Sequence, residues 1–415
     1  MSQLAFSTYR LSIDDPEHPK ALILALEKGC DLIVTAPNYM NGKSEKLVGT
    51  ILEENPQFSP LILTKGGHLN AGDKTQLEIF NIEEDELFEI QKDHFYSLAE
   101  EALEYQIDSS LKHLKKETLD VFLIHNPEIY FQMKQTKPEE LYKKIIQLFL
   151  FLEKMVTKNK IKSYGISSNS FSLQPIDSQF IDFEKLVLLA NESIPKNNFN
   201  WIEFPLNLIE RGALKQYNGQ LSLIEKAKKY NIKTLTNRPL NAFREGEFVR
   251  LATYDKFSPP IDYAASQRKL EESIKLMEDK IIEKNGNLNQ DNYWLFTNLR
   301  SSWVNLHTLD QVEHVFNKMI NPFLDKIGLK GHSKKSPQVF DELYEIGVGQ
   351  VRLFMTKEAN KLRCEAVSEG IIPDFPDKDL APLACETYSN WNVDYIGLGL
   401  KNVHYVHQLS HFFKK

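Results

Sequence analysis

Two patterns in this 415-residue chain predict its fold class. Short, nearly continuous apolar runs alternate with longer amphipathic stretches of helical spacing from the N-terminus to about residue 242, and one more apolar run follows a helix-like stretch near the C-terminus. Runs without polar alternation suit parallel strands buried on both faces, and repeated strand–helix alternation makes right-handed βα units. Seven such strands precede residue 242 and the eighth lies near the C-terminus. Eight units favour an α/β chain closed as a (β/α)8 TIM barrel over an open doubly wound sheet.

In order, the predicted strands are 4–9, 32–36, 61–64, 119–125, 162–167, 201–204 and 233–236, with 393–398 as the eighth. Helical spacing of apolar residues marks 19–27, 44–53, 94–115, 138–156, 183–190 and 221–229, and then 378–387 before the last strand. Residues 243–375 break the rhythm. They read as helices at 264–284, 291–299, 309–324 and 338–366, punctuated by Pro259, Pro260, Gly286, Gly328 and Gly331, with no strand expected. The predicted domains are therefore a barrel of residues 1–242 and 376–415, and a large all-helical insertion of 243–375 between strands 7 and 8. The insertion would leave the barrel at its C-terminal face, where barrel enzymes carry their active sites.

Composition narrows the function classes. The chain is 42% hydrophobic and 26% charged, which excludes a disordered or fibrous polypeptide. Its formal net charge of −7 argues against nucleic acid or an anionic membrane as the principal partner. The clusters around Lys112–Lys116 and Lys158–Lys162 are short enough to be solvated helix faces or turns. Cys30, Cys364 and Cys385 are sparse, odd in number and far apart, so reduced thiols and a cytoplasmic home are expected. No basic segment followed by an apolar one opens the chain, and no apolar run is long enough to span a bilayer.

Polar residues stand at the ends of successive predicted strands. Tyr39 follows strand 2, Lys65 closes strand 3, His125 closes strand 4, and Ser168 and Asn169 follow strand 5. Each alone is an ordinary polar rim residue. Together, at one barrel mouth, they suit carbonyl reduction. A tyrosine can protonate a developing alkoxide when a nearby cation lowers its pKa from about 10, and a histidine can orient and hydrogen-bond the carbonyl oxygen.

The segments LIVTAPNYMNGKSEKLVG (32–49), HNPE (125–128), YGISSN (164–169), EFPLNLIE (203–210) and NRPLNA (237–242) resemble the aldo-keto reductase family, in family order across 1–242 and about 376–412. The resemblance implies a (β/α)8 barrel, reduction of an aldehyde or ketone (or oxidation of the alcohol) with NADPH, NADH being the alternative, and an Asp–Tyr–Lys–His tetrad. HNPE, YGISSN and NRPLNA resemble a divergent branch.

By that resemblance Tyr39 is the general acid, Lys65 its pKa-lowering partner and His125 the residue that orients the carbonyl. The tetrad aspartate, five residues before the tyrosine, is Val34 here. Without that carboxylate a buried Lys65 would bear its desolvation alone and its pKa should fall, leaving a weakened or retuned acid unless a water or a carboxylate of the insertion compensates. Ser168 and Asn169 match the residues that hold the nicotinamide carboxamide. Glu203 stands for the family's glutamine and can still accept from that amide. Asn237 replaces the stacking aromatic, and Arg238 either pairs with the coenzyme's pyrophosphate or forms a salt bridge. The basic motif that reads the 2′-phosphate is not recognisable after strand 8, where Lys401 is the obvious cation. Phe6, Tyr130, Phe131 and Trp201 are candidates for pocket lining or for packing.

Small carbonyl compounds are the expected substrates, and oligomeric state is open. Val34, Glu203 and Asn237 also motivate a rival reading, a catalytically silent barrel that binds or regulates. Three other features are set aside. Gly42–Lys43–Ser44 lacks the upstream glycine of a P-loop, since Pro37 stands there. His404, His407 and His411 have helical spacing but no carboxylate or thiol to complete a metal site, and Glu83–Glu86 lacks a calcium loop's alternating ligands.

Overall fold

A computed structural model describes residues 2–70, 72–73, 82–135, 137–244, 246–253, 263–329 and 338–413. Pro259, Pro260 and Gly331, expected to punctuate the insertion, lie outside the described residues. The chain divides into two compact units, residues 1–248 with 382–415, and residues 249–381.

Thirteen strands occur among the described residues: β1 (Gln3–Ser7), β2 (Leu32–Val34), β3 (Leu61–Gly66), β4 (His68–Asn70), β5 (Phe88–Gln91), β6 (His94–Tyr96), β7 (Leu119–His125), β8 (Ile161–Ser167), β9 (Phe199–Pro205), β10 (Lys233–Asn237), β11 (Asn241–Arg244), β12 (Glu247–Arg250) and β13 (Tyr395–Gly399). Eight of them close a parallel barrel in the order β1-β13-β10-β9-β8-β7-β3-β2. These are the eight strands expected from the apolar runs. Ala5, Leu32, Val34, Leu63, Val121, Leu123, Trp201 and Leu235 fill the interior as one apolar cluster. Register then decides what stands above that plug. Ser167 of β8 is level with both His125 of β7 and Glu203 of β9, and Lys65 of β3 is level with Leu123. Because side chains alternate along a strand, Lys65 shares the inward face of Leu63, and Glu203 that of Trp201. The polar residues are thereby gathered at the C-terminal ends of the strands.

Two expectations are corrected. Residues 94–115 do not form one helix: the helix is Glu100–Leu114, and His94–Tyr96 is β6, which pairs antiparallel with β4 and β5. Its aromatic residues satisfy their backbone by non-local pairing, which outweighs a short helical pattern. The strand-free expectation for the insertion also fails at its start, where β12 pairs with β11 around a turn containing Gly246 at φ 84°.

Among the described residues the second unit's long elements are the helices Tyr263–Asn285, Gln290–Val304 and Gln338–Ser368. The expected helix 309–324 is interrupted. An α-helix at Leu309–Val315 passes through a π-helical turn at Phe316–Ile320 into Asn321–Ile327. Pro322 lacks the N–H that an α-register would return to residue 318, so the widened turn just before it has a local cause. Trp303, Phe296, Phe316 and Phe340, all at most 1% exposed, anchor that unit's core.

Candidate active site

The position of Tyr39 is set by a tight turn. Met40, Asn41 and Gly42 follow it with φ of 48°, 55° and 79°, three successive left-handed residues that swing the chain from β2 into the helix Lys43–Glu54. Gly42 is required on two counts, since a Cβ there would also meet the His113 ring at 3.1 Å. The half-buried Tyr39 ring packs edge-on against Tyr9 at 5.2 Å, and its hydroxyl lies 3.3 Å from the Lys65 Nζ.

Lys65 is 2% exposed and is not alone. Its Nζ donates to Glu203 Oε1 at 2.8 Å and lies 2.6 Å from Oε2. This overturns the expectation that loss of the tetrad aspartate at Val34 leaves the lysine unpaired with a lowered pKa. Burial does work against the ammonium, but the Glu203 carboxylate and then Tyr39 outweigh it, and the pKa is raised above its ordinary value. Glu203, expected to accept from the coenzyme amide, is instead engaged with Lys65. The carboxylate that pairs with Lys65 stands on β9, the sixth strand of the barrel in chain order.

Burial pushes the Tyr39 phenol above its usual range; Lys65 opposes this and Glu203 adds to it. His125 is driven well below its ordinary value, first by burial and then by His68, Lys65 and His94. His68, whose ring centroid is 4.6 Å from that of His125, is lowered to about 4 for the same leading reason. Both rings are neutral at pH 7, so each offers one N–H donor and one acceptor nitrogen. The turn that presents His68 is pinned by Gln106, which accepts from Gly67 N at 2.8 Å and donates to His68 O at 2.6 Å. Tyr96 Oη donates to the carbonyls of His125 and Asn126, each at 2.9 Å.

Ser168 and Asn169 follow β8 and meet a residue that sequence reasoning missed, Glu128. This carboxylate, 5% exposed, accepts from Ser168 Oγ (2.7 Å), Asn169 N (2.9 Å), Asn169 Nδ2 (3.3 Å) and Asn126 Nδ2 (2.9 Å). The signal was present in HNPE: an acid three residues after a strand-end histidine, beyond a proline that turns the chain. His68, His94 and Asn126 were likewise without assigned roles.

Asn237 ends β10 with its Oδ1 buried and without a hydrogen-bond partner. Arg238, at φ 53°, is ion-paired with Glu210, which also accepts from Asn207 Nδ2 at 2.8 Å. The salt bridge open to Arg238 is formed, with Glu210 as its partner. Phe6 and Trp201 are 0% and 3% exposed within the barrel wall and plug, so they pack. Tyr130 is buried against Phe88, with its hydroxyl on Glu86, while Phe131 is part-buried. His411 falls in a 3-10 turn beyond the helix Val403–Leu409 that carries His404 and His407. Among the described residues no group of three or more His, Cys, Asp or Glu is placed to hold a metal, and no helix is long and apolar enough to cross a membrane.

The chain is similar to several known proteins. It is 29% identical over 190 residues to an aldo-keto reductase of Alternaria alternata, covering 43% of this chain and 48% of that one. It is 25% identical over 159 residues to a D-threo-aldose 1-dehydrogenase of a Pseudomonas species, covering 38% and 45%. The chain thus spans about half the length of the curated relatives it matches. Among solved structures, a glycerol dehydrogenase from Gluconobacter oxydans is 20% identical with a TM-score of 0.40, over 90% of this chain and 94% of the other. An aldo-keto reductase from Klebsiella pneumoniae in complex with NADPH is 14% identical with a TM-score of 0.36, over 57% and 64%. The sequence pattern of the aldo/keto reductase family matches residues 4–279. On that match the chain belongs to the aldo/keto reductase family.

Proposed function

We propose that this chain is an NAD(P)H-dependent oxidoreductase that reduces a small aldehyde or ketone, or oxidises the corresponding alcohol, with Tyr39 as the general acid. The observation that carries the reading is the Tyr39–Lys65–Glu203 line: a phenol 3.3 Å from a buried lysine whose charge is held by a buried carboxylate.

The residues fit the coenzyme that the family uses. Ser168 and Asn169 keep hydrogen-bonding capacity beyond what Glu128 takes, and the unpartnered Asn237 Oδ1 stands on the same rim. Ser168, Asn169 and Asn237 would hold the nicotinamide carboxamide, and the bound coenzyme supplies the hydride. NADPH is preferred to NADH by family habit.

The chain's own residues do the rest. Tyr39 keeps its proton at neutral pH because burial outweighs the lysine, so it is loaded as an acid. A nascent alkoxide is far more basic than a phenolate, so the proton moves to it as the carbonyl is reduced. Lys65, held charged by Glu203, stabilises the phenolate left behind. Neutral His125 donates one N–H to the carbonyl oxygen and orients it. The silent-barrel reading rested on Val34, Glu203 and Asn237, and the Lys65–Glu203 pair makes the first two departures compensate each other.

The test is steady-state oxidation of NADPH with a reactive aldehyde. Tyr39→Phe is expected to lower turnover by about 100- to 10,000-fold, the usual contribution of a positioned acid, with coenzyme affinity unchanged. Equal rates in the two proteins remove Tyr39 from the reaction, and no rate in either favours the silent barrel.

A further inference from the structure

Glu128 is placed in neither the acid–base line nor the coenzyme rim, yet it accepts hydrogen bonds from Ser168 and Asn169 of that rim and from Asn126, the residue after His125. Resting on the oxidoreductase reading, we infer that Glu128 is a positioning residue that sets the donor–acceptor polarity of Ser168, selecting a coenzyme whose ring substituent carries an N–H donor.

The argument follows from what each group can give. A carboxylate only accepts. Facing Glu128 Oε2 at 2.7 Å, the Ser168 hydroxyl must spend its one proton there. One of its two lone pairs is taken by Ser170 N at 3.0 Å. On this hydroxyl, in a residue 0% exposed, one lone pair remains, a single acceptor. Asn169 is likewise turned so that its amide nitrogen faces Oε1, which leaves its carbonyl oxygen as an acceptor and one N–H as a donor. The pair therefore presents more acceptance than donation to whatever ring substituent it meets. A carboxamide NH2 satisfies it, and an acetyl group at the same ring position does not.

The constraint also travels the other way. Asn126 must turn its Nδ2 to Glu128, at 2.9 Å, so its Oδ1 faces His68 Nε2 at 3.2 Å. An amide oxygen accepts, so neutral His68 carries its proton on Nε2 and its Nδ1 is a lone pair, buried and without a partner. Asn126 is held at φ 52°, a left-handed conformation that asparagine tolerates better than most residues. One carboxylate thus fixes a hydroxyl rotor, two amide orientations and an imidazole tautomer.

Glu128→Gln changes this polarity with almost no change of shape. The glutamine oxygen can keep the three nitrogen donors at Oε1, which puts its NH2 toward Ser168. The hydroxyl proton is then released from residue 128, and Ser168 can donate it to a ligand. The experiment is a fluorescence titration of wild type and Glu128→Gln with NADPH and with its 3-acetylpyridine analogue, in which an acetyl group replaces the carboxamide. Wild type is expected to bind NADPH about tenfold more tightly than the analogue, the worth of roughly one lost hydrogen bond to a buried acceptor. In Glu128→Gln the ratio should fall to near unity or invert. A role limited to stability would weaken both ligands together and leave the ratio unchanged, and that result overturns the inference. So does equal binding of the two ligands by wild type, a comparison that needs no variant to fold. Binding of neither ligand by wild type defeats the oxidoreductase reading itself.

Discussion

Lys65 and Glu203 lie 138 positions apart in sequence and meet as a buried ion pair, with Nζ 2.8 Å and 2.6 Å from the two carboxylate oxygens. Each is at most 2% exposed. Removing one partner of such a pair leaves a buried charge uncompensated, which costs about 3–5 kcal/mol. Glu203→Gln should therefore lower stability by that order in urea titrations and cut turnover at least tenfold, because Lys65 loses what holds its charge. Val34 lies on the inward face below Lys65, level with Leu63. Val34→Asp alone would set a second carboxylate near Glu203 and is expected to bring no gain in turnover. In the Glu203→Gln background it should restore part of the lost turnover. A double variant no better than Glu203→Gln would mean that the carboxylate acts only from strand 6.

The histidine cluster makes the fold acid-sensitive. His68 is lowered from 6.5 to about 4, chiefly by burial, and His94 and His125 are lowered as well. Their unfolded forms take up protons first, so this stabilisation is complete above about pH 6.5 and is lost as pH falls toward 4. His68 alone corresponds to roughly 3–4 kcal/mol over that window. Urea midpoints measured at pH 7 and pH 5 should fall more in wild type than in His68→Asn. Parallel falls would show that the ring titrates freely in the folded protein.

In the helical unit, Trp303 Nε1 donates to Ser266 Oγ at 2.8 Å, Ser266 donates to Gln350 Oε1 at 2.6 Å, and Gln350 Nε2 returns to Trp303 O at 3.1 Å. All three residues are at most 3% exposed. Breaking this closed buried ring leaves Trp303 Nε1–H without an acceptor and Gln350 Oε1 without a donor, so Ser266→Ala should cost about 1–3 kcal/mol. Differential scanning calorimetry reads the loss. An unchanged transition would mean that water replaces the hydroxyl.

The chemistry-bearing positions at strand ends are legible in the amino-acid order, because each follows a recognisable apolar run. The three-stranded sheet of β4, β6 and β5 is not, since its three- and four-residue strands carry no periodicity of their own and exist only by pairing with one another. Glu128 is visible as a letter in HNPE but not as a hub. Its four donors come from residues 126, 168 and 169, and only folding brings those to one carboxylate.

By itself the sequence determined that the chain is a (β/α)8 barrel interrupted by a mainly helical segment, because the order of apolar runs and amphipathic stretches is local information that each element expresses alone. It also determined which residue types stand at the barrel mouth. Only the tertiary structure decided that Glu203 completes the partnership which Val34 cannot, and that Arg238 is matched to Glu210. A charge buried in a low-dielectric interior must find its partner wherever the closed barrel brings one within reach, and that distance is a property of register and closure rather than of spacing along the chain.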